Sequence, residues 1–138
     1  MTPENQLKLV ERFPNLYREC WEIGGGDGWF QLIWNLGLQI EQVCRAHNVS
    51  IDQYPIVKQQ KEKFGQLRYY WELPEDFSKD ILDIVYDLIY DLAAKAERES
   101  LRICDWCGES GTPISSNGWL TTRCTKHLEN SWRDKEEM

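Results

Sequence analysis

No run of this chain approaches the roughly 20 consecutive apolar residues that a membrane-spanning helix needs. No basic-then-apolar leader opens it, because Met1-Thr2-Pro3-Glu4-Asn5 already reads as a helix start. Positive charge is in deficit. Sixteen lysines and arginines face 23 aspartates and glutamates, a net charge of −7, which argues against tight general binding to nucleic acid. Histidine is scarce, with only His47 and His127. No Ser-His-Asp order, His-Glu-x-x-His motif, nucleophile elbow or phosphate-binding lysine motif occurs, so the expectation is a protein that is not an enzyme. Cysteines number five, an odd count that does not suit a closed disulfide framework. A reducing, cytoplasmic compartment is the expected location.

What is present suits a folded domain. In 138 residues the chain carries seven Trp and six Tyr, enough large apolar surface for a core despite a hydrophobic fraction of 41%. The strongest chemical signal lies near its end. Cys104-Asp105-Trp106-Cys107-Gly108 is followed by Cys124-Thr125-Lys126-His127, with sixteen residues between Cys107 and Cys124. Two pairs of ligands, each separated by two residues, suit a tetrahedral zinc ion held by Cys104, Cys107, Cys124 and His127. Four protein ligands make a closed site, hence a structural zinc. Gly108 supplies the positive φ that a zinc knuckle requires. Thr112–Ser115 and Trp119–Thr122, around Asn117-Gly118, read as a hairpin. Leu128 to Arg133 has a helical look, and Trp106 and Trp119 are expected to shield the metal. This order resembles a treble clef, with a zinc ribbon as the near alternative; the resemblance covers about a quarter of the chain and sets no function.

Upstream, Thr2 and Pro3 look like the N-cap and first position of a helix, with Leu7, Val10 and Phe13 sharing a face until Pro14. Leu16, Tyr17, Trp21 and Ile23 form a second apolar patch. Gly24-Gly25-Gly26-Asp27-Gly28 fits no nucleotide-binding motif and reads as a turn, with Asp27 capping the next helix. Trp29, Leu32, Ile33, Leu36, Ile40 and Val43 recur at helical spacing, and Gly37 among them is expected to mark close helix approach. That helix is expected to end near His47-Asn48.

After Pro55 the texture changes. Leu67, Tyr69, Trp71 and Leu73 alternate with polar residues, a strand pattern, and a hairpin turning at Phe64-Gly65 is preferred. Its first arm, Ile56–Lys63, reads as a polar edge strand or a short helix. Lys58, Lys61, Lys63, Arg68 and Tyr70 make the hairpin a candidate surface for nucleic acid or a partner. The alternative is a lysine-protected sheet edge with its rings turned inward. Ser78 then opens the longest helix, expected over Lys79–Leu101. Ile81, Val85, Leu88, Leu92 and Ala96 form its apolar stripe, and Asp80, Asp83, Asp87 and Asp91 line the opposite face. Such an acidic line is either a solvated face or a dock for a basic surface.

The expected fold is α+β: a helical N-terminal region, a central β-hairpin, a long amphipathic helix and a C-terminal zinc-binding treble-clef-like module. Residues 1–101 would form the core and 102–138 the module packed on it. The segment Lys61-Glu62-Lys63-Phe64-Gly65-Gln66-Leu67-Arg68-Tyr69-Tyr70, then Ala96-Glu97-Arg98-Glu99-Ser100 and the CxxCG…CxxH pattern, resembles a group of small uncharacterised phage and prophage proteins over roughly residues 55–130. The resemblance implies a phage setting and no activity. The functional expectation is a zinc-binding protein that binds and modulates or inhibits a host protein with a basic surface. The alternative is a nucleic-acid-binding accessory protein.

Overall fold

The computed structural model describes residues 1–116 and 118–128. Over these the chain is α+β, with three α-helices and two small sheets. Helix α1, Pro3–Arg12, starts as its sequence implies: the Thr2 hydroxyl accepts from the Asn5 amide, and Pro3 takes a position that needs no donor. Its buried face is not the expected one. Leu9 and Phe13 enter the core, while Leu7 and Val10 stay exposed. The ring of Phe13 explains part of this choice, because it lies against Gly37, where a Cβ would come within 2.8 Å of it.

A two-residue strand, β1 (Glu22–Ile23), has no signal in the sequence; it pairs in parallel with a later strand at Gln59 and Gln60. The glycine run follows it. Asp27 does not cap the next helix; its carboxylate braces the start of α1, accepting from the Thr2 amide at 2.9 Å and from Asn5 Nδ2 at 3.1 Å. Helix α2, Phe30–Ala46, therefore begins without a side-chain cap. It buries Ile33, Leu36, Gly37, Ile40 and Cys44, and Asn48 leaves it in the left-handed conformation usual after a helix end.

Strands β2 (Ile56–Lys63) and β3 (Gln66–Glu72) form the hairpin, antiparallel, with Lys63 opposite Gln66. Phe64 and Gly65 both have positive φ, 56° and 78°, the geometry of a two-residue type I′ turn. β2 is the middle strand of the sheet, not an edge, since β1 flanks it. Leu67, Tyr69 and Val57 face the core. Beside them Gln60 is buried with its polar ends used: Tyr17 donates to its oxygen at 2.7 Å, and its amide donates to the Gly24 carbonyl at 3.1 Å.

Helix α3 spans Leu82–Ser100, three residues later than expected, and Ser78 does not cap it. Asp80 thus lies before the helix instead of extending its acidic line. The buried stripe is Val85, Ile89, Ala93, Ala96 and Ser100; Ile84 and Leu88 face outward. The helix closes part of the open edge of β3. Ser100 Oγ accepts from the Leu67 amide at 2.9 Å, and the Glu97 carboxylate accepts from the Tyr69 amide at 3.0 Å. An edge that would otherwise invite another strand is covered there, and the end of α3 is fixed just before Cys104.

Candidate metal centre

The metal-ligand cluster is built by two local structures. Ile103 bridges to Ser110, and the Cys104 amide donates to the Glu109 carbonyl at 2.7 Å, which folds Cys104–Gly108 into a tight knuckle. Gly108, at φ 85°, donates its amide to the Cys104 carbonyl at 2.9 Å. Strands β4 (Thr112–Ser116) and β5 (Trp119–Arg123) then return the chain, and a 3-10 turn over Thr125–His127 presents the second ligand pair. The hairpin falls where the sequence implies, with Gly118 at φ 79°. Asn117 and the helix expected beyond Leu128 lie outside the described residues.

The ligand atoms of Cys104, Cys107, Cys124 and His127, the three sulfurs and a ring nitrogen, all lie within 4.8 Å of one another. The Cys107 and Cys124 sulfurs are 3.7 Å apart, and His127 Nδ1 is 3.3 Å from the sulfur of Cys124 and 3.8 Å from that of Cys104. These are edge lengths of a tetrahedron of soft ligands, so the four residues can hold one metal ion. Cys104 is fully buried and Cys107 exposed, which puts the site at the surface of the module.

Behind the ligands sits a pair that the sequence did not single out. Asp105 and Arg123 are both buried, at 0% and 2% exposure, and Arg123 Nε donates to the Asp105 carboxylate. The same guanidinium donates through Nη1 to the His127 carbonyl at 2.9 Å and lies 5.5 Å from the Trp106 ring centre. Trp106 in turn lies 5.8 Å from the imidazole of His127. One buried cation thus ties the first ligand pair to the second and fixes the backbone of the histidine. Trp106 stands beside the site as expected; Trp119 is 69% exposed, so a shielding role for it is set aside.

The module is seated on the rest of the chain largely by backbone. The Gly28 amide donates to the Asp105 carbonyl at 2.9 Å, and a Cβ on Gly28 would fall 2.0 Å from the Cys104 carbonyl oxygen. Only glycine permits that approach. Trp29 Nε1 donates to the Ile103 carbonyl at 2.9 Å, and Thr122 Oγ1 donates to the Gly65 carbonyl at 2.6 Å. The glycine run and the hairpin turn are therefore the seats of the metal module, a role that no local motif announces.

The other candidate residues are apart from this centre. Asp80, Asp83, Asp87 and Asp91 are exposed, and none makes an ion pair among the described residues. The basic hairpin is only partly available. Lys58 pairs with Glu19 at 3.3 Å and Glu72 at 3.7 Å, and Tyr69 is buried. Lys61 stands directly opposite Arg68, Lys63 lies 5.5 Å from the Phe64 ring centre, and Tyr70 is exposed. His47 Nδ1 lies 3.0 Å from the Val43 carbonyl at the end of α2. Burial pushes the Cys44 thiol up to about 11 and also raises that of Cys20, so both are held as thiols at neutral pH. No helix among the described residues is long and apolar enough to cross a membrane. Comparison with protein-family models, curated proteins and solved structures found no match.

Proposed function

We propose that this is a non-enzymatic, zinc-stapled binding protein whose helix α3 docks on a basic surface of another protein. The observation that carries the reading is the outward face of α3. Asp83, Asp87 and Asp91 run along it with no ion pair among the described residues, and Ile84, Tyr86, Leu88 and Tyr90 stand among them, each at least 40% exposed. A helix kept only for solubility has no need of four large apolar side chains in water. Acidic residues interleaved with tyrosine and aliphatic anchors are the composition of a recognition surface.

Zinc is the metal that the ligand set favours. Zn–S bonds of about 2.3 Å and Zn–N bonds of about 2.0–2.1 Å give ligand-to-ligand edges of about 3.5–3.8 Å, close to the separations found here. Three thiolates and an imidazole leave no open position, so the ion would fix structure and carry no reaction. The knuckle, hairpin and turn are consistent with a treble clef. The resemblance to phage and prophage proteins supports a bacterial cytoplasmic setting and a host protein as partner, modulated or inhibited by the contact.

The test is capture from bacterial lysate with the native chain and with the Asp83→Lys, Asp87→Lys double variant. A partner retained by the first and lost by the second is expected. Equal capture by both overturns the docking reading. A second reading, nucleic-acid binding, draws on the pairing of Lys61 with Arg68. Like charges directly opposite each other are unfavourable unless an anion joins them. It requires a salt-sensitive mobility shift removed by Lys61→Glu with Arg68→Glu, and absence of any shift at low salt excludes it.

A further inference from the structure

Helix α3 covers only one end of the free edge of β3. Ser100 and Glu97 meet the amides of Leu67 and Tyr69. Strand alternation turns the backbone of Trp71 to that same edge, but there the seam between strand and helix opens into two hollows. One, of about 330 Å³, runs from Arg68 and Glu97 to Trp71 and Tyr86. The other, of about 430 Å³, continues from Trp71 and Tyr86 past Pro74 to Lys79. They meet at the Trp71–Tyr86 ring pair, whose centres are 5.1 Å apart, and Tyr90 stacks on Tyr86 at 6.2 Å.

We propose that this seam is a docking groove for an extended peptide segment bearing arginine or lysine. The inference rests on the reading of α3 as the docking element and names what its partner presents. Three features of the groove fit such an occupant. An extended chain laid beside Trp71 would continue the sheet where α3 leaves off, and apolar side chains on alternate residues would meet the rings. Arg68 lines the first hollow and its Nε has no hydrogen-bond partner among the described residues, so the guanidinium has donors left for a peptide carbonyl laid in the hollow. The charge is selective as well. Asp83 and Asp87 each sit three positions before a groove tyrosine, Tyr86 and Tyr90, and so flank the rings on the helix surface. The walls add Glu75, Glu72, which shares its charge with Lys58, and Glu97, which accepts from the Tyr69 amide, against Arg68 and Lys79. A cationic side chain can lie across a tyrosine face with its charge beside a carboxylate; an anionic one meets repulsion along the rim.

The test is a titration of the full, metal-loaded chain with a capped octapeptide of alternating arginine and valine, followed by residue-resolved NMR. A glutamate–valine octapeptide serves as control. Shifts centred on Trp71, Tyr86 and Tyr90 are expected, with affinity on the order of tenfold or more above the control. Tyr86→Ala with Tyr90→Ala should weaken binding by about tenfold; both rings are half-exposed, and far-UV circular dichroism verifies that the fold is kept. Equal binding of the two peptides, shifts elsewhere, or indifference to the tyrosine substitutions overturns the groove. Shifts confined to Asp83, Asp87 and Asp91 with the tyrosines indifferent would remove the groove and leave the acidic docking face standing. Capture from lysate that is insensitive to Asp83→Lys with Asp87→Lys removes the face itself, whatever the peptides do.

Discussion

The helix–sheet core and the cysteine module that follows it differ in what they bury. The core encloses Trp29, Ile33, Leu36, Ile40, Leu67, Val85 and Ile89 at 1% exposure or less. Each such side chain contributes roughly 1.5–3 kcal/mol by leaving water. In the module, the buried described residues are Cys104, Asp105, Thr122 and Arg123, while Trp119 and Leu120 remain in solvent. Among the described residues its cohesion lies in the Asp105–Arg123 ion pair, in backbone contacts and in a Cys/His cluster able to hold a metal ion. A short segment without an apolar interior can hold its shape only through strong directional bonds, and those bonds make it depend on single residues.

Removing the metal is the strongest way to break this contrast. A chelator added to the purified protein is expected to unfold the module and leave the core standing. The free energy withdrawn is on the order of 10 kcal/mol, as for small zinc-folded units. NMR amide signals of β4 and β5 should collapse while those of α2 persist. Simultaneous loss of both sets would show that the two regions are one cooperative unit.

Next in size is the buried pair. Arg123→Met leaves the Asp105 carboxylate buried without its cation and should cost about 3–5 kcal/mol, read by urea titration, together with weaker metal retention. Asp105→Asn combined with Arg123→Met should cost less than Arg123→Met alone, because no charge is then stranded. Ile89→Ala provides the matched core lesion, about 2–5 kcal/mol with metal retention unchanged. If it weakens metal binding as much as Arg123→Met does, the distinction between the regions fails.

Gly28→Ala probes the seat between them. The added methyl would fall 2.0 Å from the Cys104 carbonyl, and crowding of this kind costs about 1–3 kcal/mol. The expected readout is faster hydrogen exchange in the knuckle with little change in α2 or α3. The smallest effect belongs to the surface of the core. Arg12 donates to the Glu41 carboxylate at 2.8 and 3.0 Å, and this hydrogen bonding holds the Glu41 carboxyl below its ordinary value of 4.5. A depressed folded value stabilises above the unfolded value, and that contribution is lost as pH falls through the folded one. The pair is solvent-exposed, so the loss on acidification should be about 0.2–1 kcal/mol and should vanish in Glu41→Gln.

Legibility in the sequence followed distance along the chain. The clustering of Cys104, Cys107, Cys124 and His127, the Phe64-Gly65 and Gly118 turns, the Thr2 cap and the existence of α2, α3 and the hairpin could all be read. Each depends on residues a few positions apart, where covalent geometry restricts the outcome. The choice between apolar faces could not be read. Leu7 and Val10 are as apolar as Leu9 and Phe13, and Ile84 and Leu88 match Val85 and Ile89; which set turns inward depends on what packs against it. Strand β1 is two residues long and exists because β2 offers it an edge.

Local spacing by itself determined that Cys104 and Cys107, and Cys124 and His127, converge as two pairs able to hold a metal ion, because two side chains three positions apart on a tight turn meet whatever surrounds them. Only the tertiary structure decided that Gly28 and Gly65 seat that set, that Arg123 and Asp105 brace it, and that the rings of Trp71, Tyr86 and Tyr90 line an open seam. The Gly65 seat joins residues 57 positions apart and the Gly28 seat joins residues farther apart still, while the brace and the Trp71–Tyr86 contact join different elements. Nothing in a local pattern carries them until the core has condensed and brought the elements together.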